Sequence, residues 1–164
     1  MTQTEKIIAE FKREANGNRK ILERVPFEKA DWKPHEKSMS VARLASHLAE
    51  NTGWISEILE NDEFDFAGRA YKPYVATSKE DLLTVFQDRY DKALAALEAA
   101  SDQDLEKHWL VRVGPKVMQN STKLDAIRGW TLSHMIHHRG QLSVYLRILD
   151  VPVPGMYGPS ADEK

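Results

Sequence analysis

Four long stretches of helical periodicity dominate this chain, and any fold it adopts must bury their apolar stripes. The first runs from about Thr4 to Arg24, where Ile7, Ile8, Phe11, Ala15, Leu22 and Val25 recur at helical spacings. Gly17 weakens it by about 1 kcal/mol relative to Ala, and Pro26 stops it. The second runs from about Ser40 to Asn61, with Ser40 as N-cap and Leu44, Leu48, Ile55, Ile58 and Leu59 as its apolar face. The third runs from about Lys79 to Ala100, capped by Ser78 and striped by Leu82, Leu83, Phe86, Tyr90, Leu94 and Leu97. The fourth runs from about Thr122 to Leu149, with Leu124, Ile127, Thr131, Met135, Leu142, Tyr145 and Leu149 on one side. Such a pattern predicts an all-α fold, a four-helix bundle with long crossover connections. At 164 residues the chain suits a single domain, 1–164, with one core.

The connections carry their own signals. Trp32 and Pro34 make PFEKADWKPHEKSMS a fixed loop, since a Trp in a short loop is usually packed against something. Phe64, Phe66, Tyr71, Pro73 and Tyr74 make the next connection aromatic enough to lie over the helices rather than hang free. In HWLVRVGPKVMQN, Trp109, Val111 and Val113 alternate with His108, Leu110 and Arg112 before a Gly114-Pro115 turn. This stretch between the third and fourth helices reads as either a short hairpin or extended coil. The tail VPVPGMYGPSADEK, rich in Pro and Gly, predicts an irregular end.

Composition excludes several kinds of chemistry. The chain has no cysteine, which removes disulfides, thiolate ligands and a cysteine nucleophile. Any metal must be held by His, Asp or Glu, and any thiol must arrive with a substrate. Formal net charge is -2 with the signs interspersed, so no basic stripe suggests nucleic acid as a partner. No apolar run approaches the roughly 18–20 residues of a membrane span. The N-terminus has no signal-peptide pattern, and a cytoplasmic location is the default expectation.

The histidines point to chemistry. Three of the six fall in SHMIHHRGQL. His134 and His138 are an i,i+4 pair, about 40° apart on a helix and one turn along it, so both rings can reach adjacent positions on one metal. Both fall in the apolar stripe, where an imidazole needs a partner. A metal is one solution; hydrogen bonds to side chains or buried water are the other. His47, on the edge of the second helix's apolar face with Trp54 and Ile58, can join them if helix two faces helix four. Three nitrogens with open positions would be coordination of the catalytic kind.

The stretch HMIHHRGQLSVYLRILDVPVPGMYGPSADE, the upstream WKPHEKSMSVARLASHLAE and the helix pattern together resemble the DinB/YfiT-like family. The resemblance implies a four-helix bundle, commonly dimeric, with one divalent ion, often zinc or nickel, held by residues matching His47, His134 and His138. His137 matches a position that is often His without being the usual ligand. Relatives in the family include thiol S-transferases using bacillithiol or mycothiol and metal-dependent hydrolases. The resemblance therefore implies a metal-dependent transferase acting on small electrophiles, with a hydrolase or a non-catalytic metal-binding stress protein as alternatives. A small-molecule substrate and a low-molecular-weight thiol are the partners it implies.

Other polar residues have two readings each. Asn51 and Gln141 could orient ligands or substrate, or simply hydrogen-bond between helices. Glu50 is either a base or a solvated charge. Trp32 and His35 could wall a pocket, although His35 fits a surface as well. Arg139 would anchor an anionic group or form an internal salt bridge. Gly140 reads as a point of close helix approach.

Overall fold

A computed structural model of the protein describes residues 1–67 and 72–163. Helix α1 spans Gln3–Leu22 and starts at a capping box. The Thr2 hydroxyl accepts from Glu5 N–H at 3.0 Å and the Glu5 carboxylate accepts from Thr2 N–H at 2.8 Å. Helix α2 covers Val41–Asn51 behind the Ser40 cap. A turn at Thr52 and Gly53 separates it from α3, Trp54–Glu60, so the expected single second helix is two. Helix α4 spans Lys79–Ala99 behind Ser78, and a short α5, Asp102–Glu106, follows with its own capping box.

The all-α expectation is overturned by a three-stranded mixed sheet, which makes the fold α/β. Strands β2, His108–Val113, and β3, Lys116–Thr122, form the antiparallel hairpin that the sequence left open, turned at Gly114 with φ +56°. Strand β1, Glu63–Asp65, adds to β2 in parallel, with Phe64 opposite Val111. A parallel pair needs a long crossover, and α4 with α5 supplies it. The physical cause is alternation: Trp109 and Val111 are fully buried while His108 is exposed, which a strand achieves and a helix cannot.

The expected fourth helix is continuous but not uniform. It begins as α6, Lys123–Ala126, capped by Thr122, passes through a π-helical segment, Ile127–Ser133, and continues as α7, His134–Ile148. Helix α2 packs against both α4 and α7, and α1 against α4 and α7. Their shared core includes Phe11, Leu44, Leu48, Phe86, Leu142 and Leu146. The tail beyond α7 has no regular structure, as expected, and is tied back by Asp162 to Arg147 at 2.7 Å. Trp32 packs edge-on to Tyr145 at 5.5 Å, which fixes its loop. Phe64, Phe66 and Tyr74 pack against the core as expected of an aromatic connection, while Tyr71 lies outside the described residues. Among the described residues, no helix is long and apolar enough to cross a membrane.

Candidate metal centre

Docking of α2 on α7 brings together three histidines far apart in sequence. His47 sits in the middle of α2; His134 opens α7 and His138 follows one turn later. One ligand-capable nitrogen or more from each lies within 4.8 Å of the others. The Nε2 atoms of His47 and His134 are 3.3 Å apart. Two donors on one tetrahedral ion at about 2.0–2.1 Å would be about 3.4 Å apart, so this spacing fits a shared ion. These three histidines, close together, could hold a metal ion.

Burial also favours the neutral form of all three rings. Burial, then the neighbouring charges of His138, His134 and Arg43, pushes His47 down to about 4. Burial is likewise the main cause that lowers His134 and His138. Neutral imidazole is the metal-binding form. The His138 Nδ1–H donates to Gln141 Oε1 at 2.8 Å, which leaves Nε2 as the free donor atom. Gln141 is thus placed within hydrogen-bond reach of a cluster histidine on its own helix.

Asn51 is buried one turn after His47 on α2. Its side-chain amide lies between the Trp130 carbonyl and the Met135 N–H, and in the orientation that satisfies both its nitrogen donates to the carbonyl at 2.9 Å and its oxygen accepts from the N–H at 3.3 Å. It therefore enters the main-chain ladder where the π-helical segment joins α7, a recognised way of reshaping a helix. His134 lies within this bracketed span and also hydrogen-bonds the Trp130 main chain.

A cavity of about 510 Å³ opens beside the cluster. It is lined by His47 and His134 with Glu50, Asn51, Gly53, Glu57 and Arg89, and by the rings of Trp54, Phe64, Phe66 and Trp130. Glu50 is partly exposed and paired: it meets Arg43 at 3.0 Å and accepts from Tyr74 N–H at 3.3 Å. Trp32 and His35 are not among the lining residues; His35 is exposed in its loop, where its Nδ1 accepts from Lys37 N–H at 3.1 Å. His137 is exposed, with its ring 4.9 Å from that of His138, outside the cluster.

Arg139 turns inward into the salt bridge that was its second reading. It meets Glu14 of α1 at 2.7 Å with both side chains nearly fully buried, and also hydrogen-bonds Tyr157 of the tail. Gly140 does not serve close packing within the chain, because a Cβ there would meet nothing within 4 Å. The close approach is at Gly17, where a Cβ would lie 2.6 Å from Arg139 Nη1. Sequence reasoning missed the place of Trp130 in the site. The signal was present in the spacing, since Trp130, His134 and His138 recur every fourth residue.

Fold and cluster together define a helix-rich α/β protein with a three-histidine site of metal-binding character. The chain belongs to the DinB family, whose sequence model matches residues 1–164. It is 25% identical over 151 residues to the uncharacterized protein YrdA of Bacillus subtilis strain 168, covering 92% of this chain and 85% of that one. It is 24% identical over 150 residues to YjoA of the same strain, covering 90% and 91%. In structure it resembles a DinB-like protein from Bacillus cereus ATCC 10987 with TM-score 0.70 at 20% identity, over 89% of this chain and 92% of the other. It also resembles the crystal structure of YjoA, with TM-score 0.67 at 20% identity, over 90% and 95%. At these identities the structural likeness speaks for the fold alone.

Proposed function

We propose that this DinB-family protein holds one divalent ion, zinc or nickel, through His47, His134 and His138, and is a metal-dependent enzyme that transfers a bacillithiol- or mycothiol-type thiol to a small electrophile. The observation that carries the metal is the convergence of three neutral imidazoles from two helices. Three nitrogen donors leave positions open, as catalytic sites do and closed structural sites do not. The adjoining cavity gives a small molecule a way to them. When bound, such an ion lowers the pKa of a coordinated thiol and supplies a thiolate at neutral pH. In the net reaction the sulfur bonds to the electrophilic carbon, the leaving group departs with its electron pair, and the thiol proton passes to solvent. Gln141 holds the His138 tautomer, Asn51 holds the backbone around His134, and the aromatic wall keeps water from one side of the cavity.

A hydrolase is the second reading, favoured by the half-buried Glu57 in the cavity wall, whose carboxylate could take a proton from water. A homodimer is part of the proposal. Ile136, Gly140, Val144 and Ile148 repeat every fourth residue along an exposed face of α7, and the missing Cβ at Gly140 leaves room for a second copy.

Elemental analysis by mass spectrometry on untagged protein tests the metal. Wild type is expected to carry one ion per chain, and His47→Ala and His138→Ala to lose it. Chelation should lower the melting temperature of wild type and restoration of the ion should raise it. Metal-free wild type whose melting is indifferent to chelator and to added zinc or nickel overturns the proposal. Electrophile turnover that needs both thiol and metal supports transfer; metal-dependent turnover by water alone selects the hydrolase.

A further inference from the structure

We propose that the aromatic wall of the cavity is a subsite for a planar unsaturated group, so that the ligand of this site is a small molecule carrying an aromatic or conjugated ring. Only the word substrate rests on the metal-dependent reading above; the subsite stands on its own geometry. Four rings from three different parts of the chain meet there: Trp54 from α3, Phe64 and Phe66 in and just after β1, and Trp130 from the π-helical segment. All four are only half-buried, so apolar ring surface stays open toward the cavity.

The rings hold one another. Trp54 and Phe64 meet edge to face at 4.8 Å, and Phe64 and Phe66 do so at 4.8 Å. Trp130 lies 5.7 Å from Trp54 and, inclined by only 29°, 6.2 Å from Phe66. Fully buried Trp109 backs the set, 5.9 Å from Trp130. The Trp130 indole N–H donates to Gln119 of β3, whose own amide donates to Ser121 at 2.9 Å. The indole is thereby satisfied within the protein and kept from turning.

Such a wall offers flat, pre-set π faces in a space of the volume small-molecule sites occupy. Flat π faces favour a flat π ligand over a puckered one of equal carbon count, through closer contact and ring quadrupoles. The rest of the lining is largely polar and contains two of the histidines. The complementary ligand is thus flat and apolar at one end, with a polar end toward His47 and His134.

Calorimetry with 2-naphthol and its saturated analogue decahydro-2-naphthol tests this on full-length protein, both chelated and metal-loaded. The saturated analogue is the more hydrophobic, so burial alone would favour it. The expected result is binding of 2-naphthol about tenfold tighter or more, reduced toward equality in Phe66→Leu and Trp130→Leu. In wild type, intermolecular NOEs should run from naphthol protons to the Phe64 and Phe66 rings, a readout that needs no variant. Equal or inverted affinities, no saturable binding of either probe, or NOEs to rings elsewhere overturn the subsite. Metal content measured on the same samples separates the two readings. Protein that takes up no ion on metal loading yet prefers the planar probe sinks the metal site alone, and metal-loaded protein without the preference sinks the subsite alone.

Discussion

Asn51 stands where a main-chain hydrogen bond between the Trp130 carbonyl and the Met135 N–H would otherwise close the helix. Asn51→Ala leaves the buried Met135 N–H without its partner, at roughly 1–3 kcal/mol, while the Trp130 carbonyl keeps its hydrogen bond from the His134 ring. The expected result is a destabilisation of about 1–3 kcal/mol, read by urea unfolding of chelated protein, together with weaker metal binding. Gln141→Ala separates the two effects. Gln141 is exposed, so chelated protein should keep its stability within about 0.5 kcal/mol, while metal affinity falls about tenfold or more through loss of the His138 partner. Equal metal affinity in wild type and Gln141→Ala would show that the bond does not orient the ring. At this scale much of the site was readable. His134 and His138 follow from one helical turn, and Asn51 and Gln141 from their nearness to histidines. What Asn51 binds was not readable, because its partners are backbone atoms of another helix whose register no side-chain pattern reports.

Helix α7 is joined to α1 by the Arg139–Glu14 pair, buried at both ends. Burial pushes the Glu14 carboxyl up, but hydrogen bonds from Tyr157 and Arg139, the Arg139 charge and a hydrogen bond from Arg13 outweigh it, and the net shift is downward. A carboxyl lowered in the folded state stabilises fully above its unfolded pKa, about 4.3 for Glu, and that stability is lost as pH falls through the folded value. Arg139→Met strands a buried carboxylate and should cost about 3–5 kcal/mol at neutral pH. The gap from wild type should narrow as pH falls below the unfolded value and on through the lowered value of Glu14 in folded wild type, where the pair loses its carboxylate; a gap independent of pH in thermal unfolding would count against the pair. Gly17→Ala, which helix propensity alone favours by about 1 kcal/mol, should instead lower stability, because its methyl enters the space of Arg139 Nη1. Among the elements, long amphipathic helices were legible because a stripe repeats many times over α1 and α4. Strand β1 was not: Glu63–Asp65 is too short to show alternation, and its parallel partner lies beyond α4 and α5. The break at Thr52 and Gly53 was hidden as well, since the apolar face resumes at Ile55 in nearly the same phase.

For the molecule as a whole, the order of elements decides which surfaces are left over. Exposed Val144 and Ile148 have no counterpart on the buried side of α7, where Leu142 and Leu146 enter the core. If this face joins two copies, sedimentation equilibrium should give twice the chain mass, and Val144→Glu should shift the population toward the monomer without lowering helix content. A wild-type mass equal to one chain removes the dimer. The fold class was misjudged from sequence because the helical residues far outnumber those of the three short strands. The sheet contributes few residues, yet it supplies Phe64 and, through Gln119, the anchor of Trp130.

His47 and His134 are separated by 87 positions, and β1, α4, α5, β2 and β3 all lie between them. A ribosome that has released only the first hundred residues has therefore made one donor and none of its companions. If these histidines hold an ion as proposed, its high-affinity capture has to wait for the last third of translation and for the docking of α2 on α7. A chain truncated or misassembled before that point would leave the cellular metal pool untouched, so loading itself would report that synthesis and folding had finished.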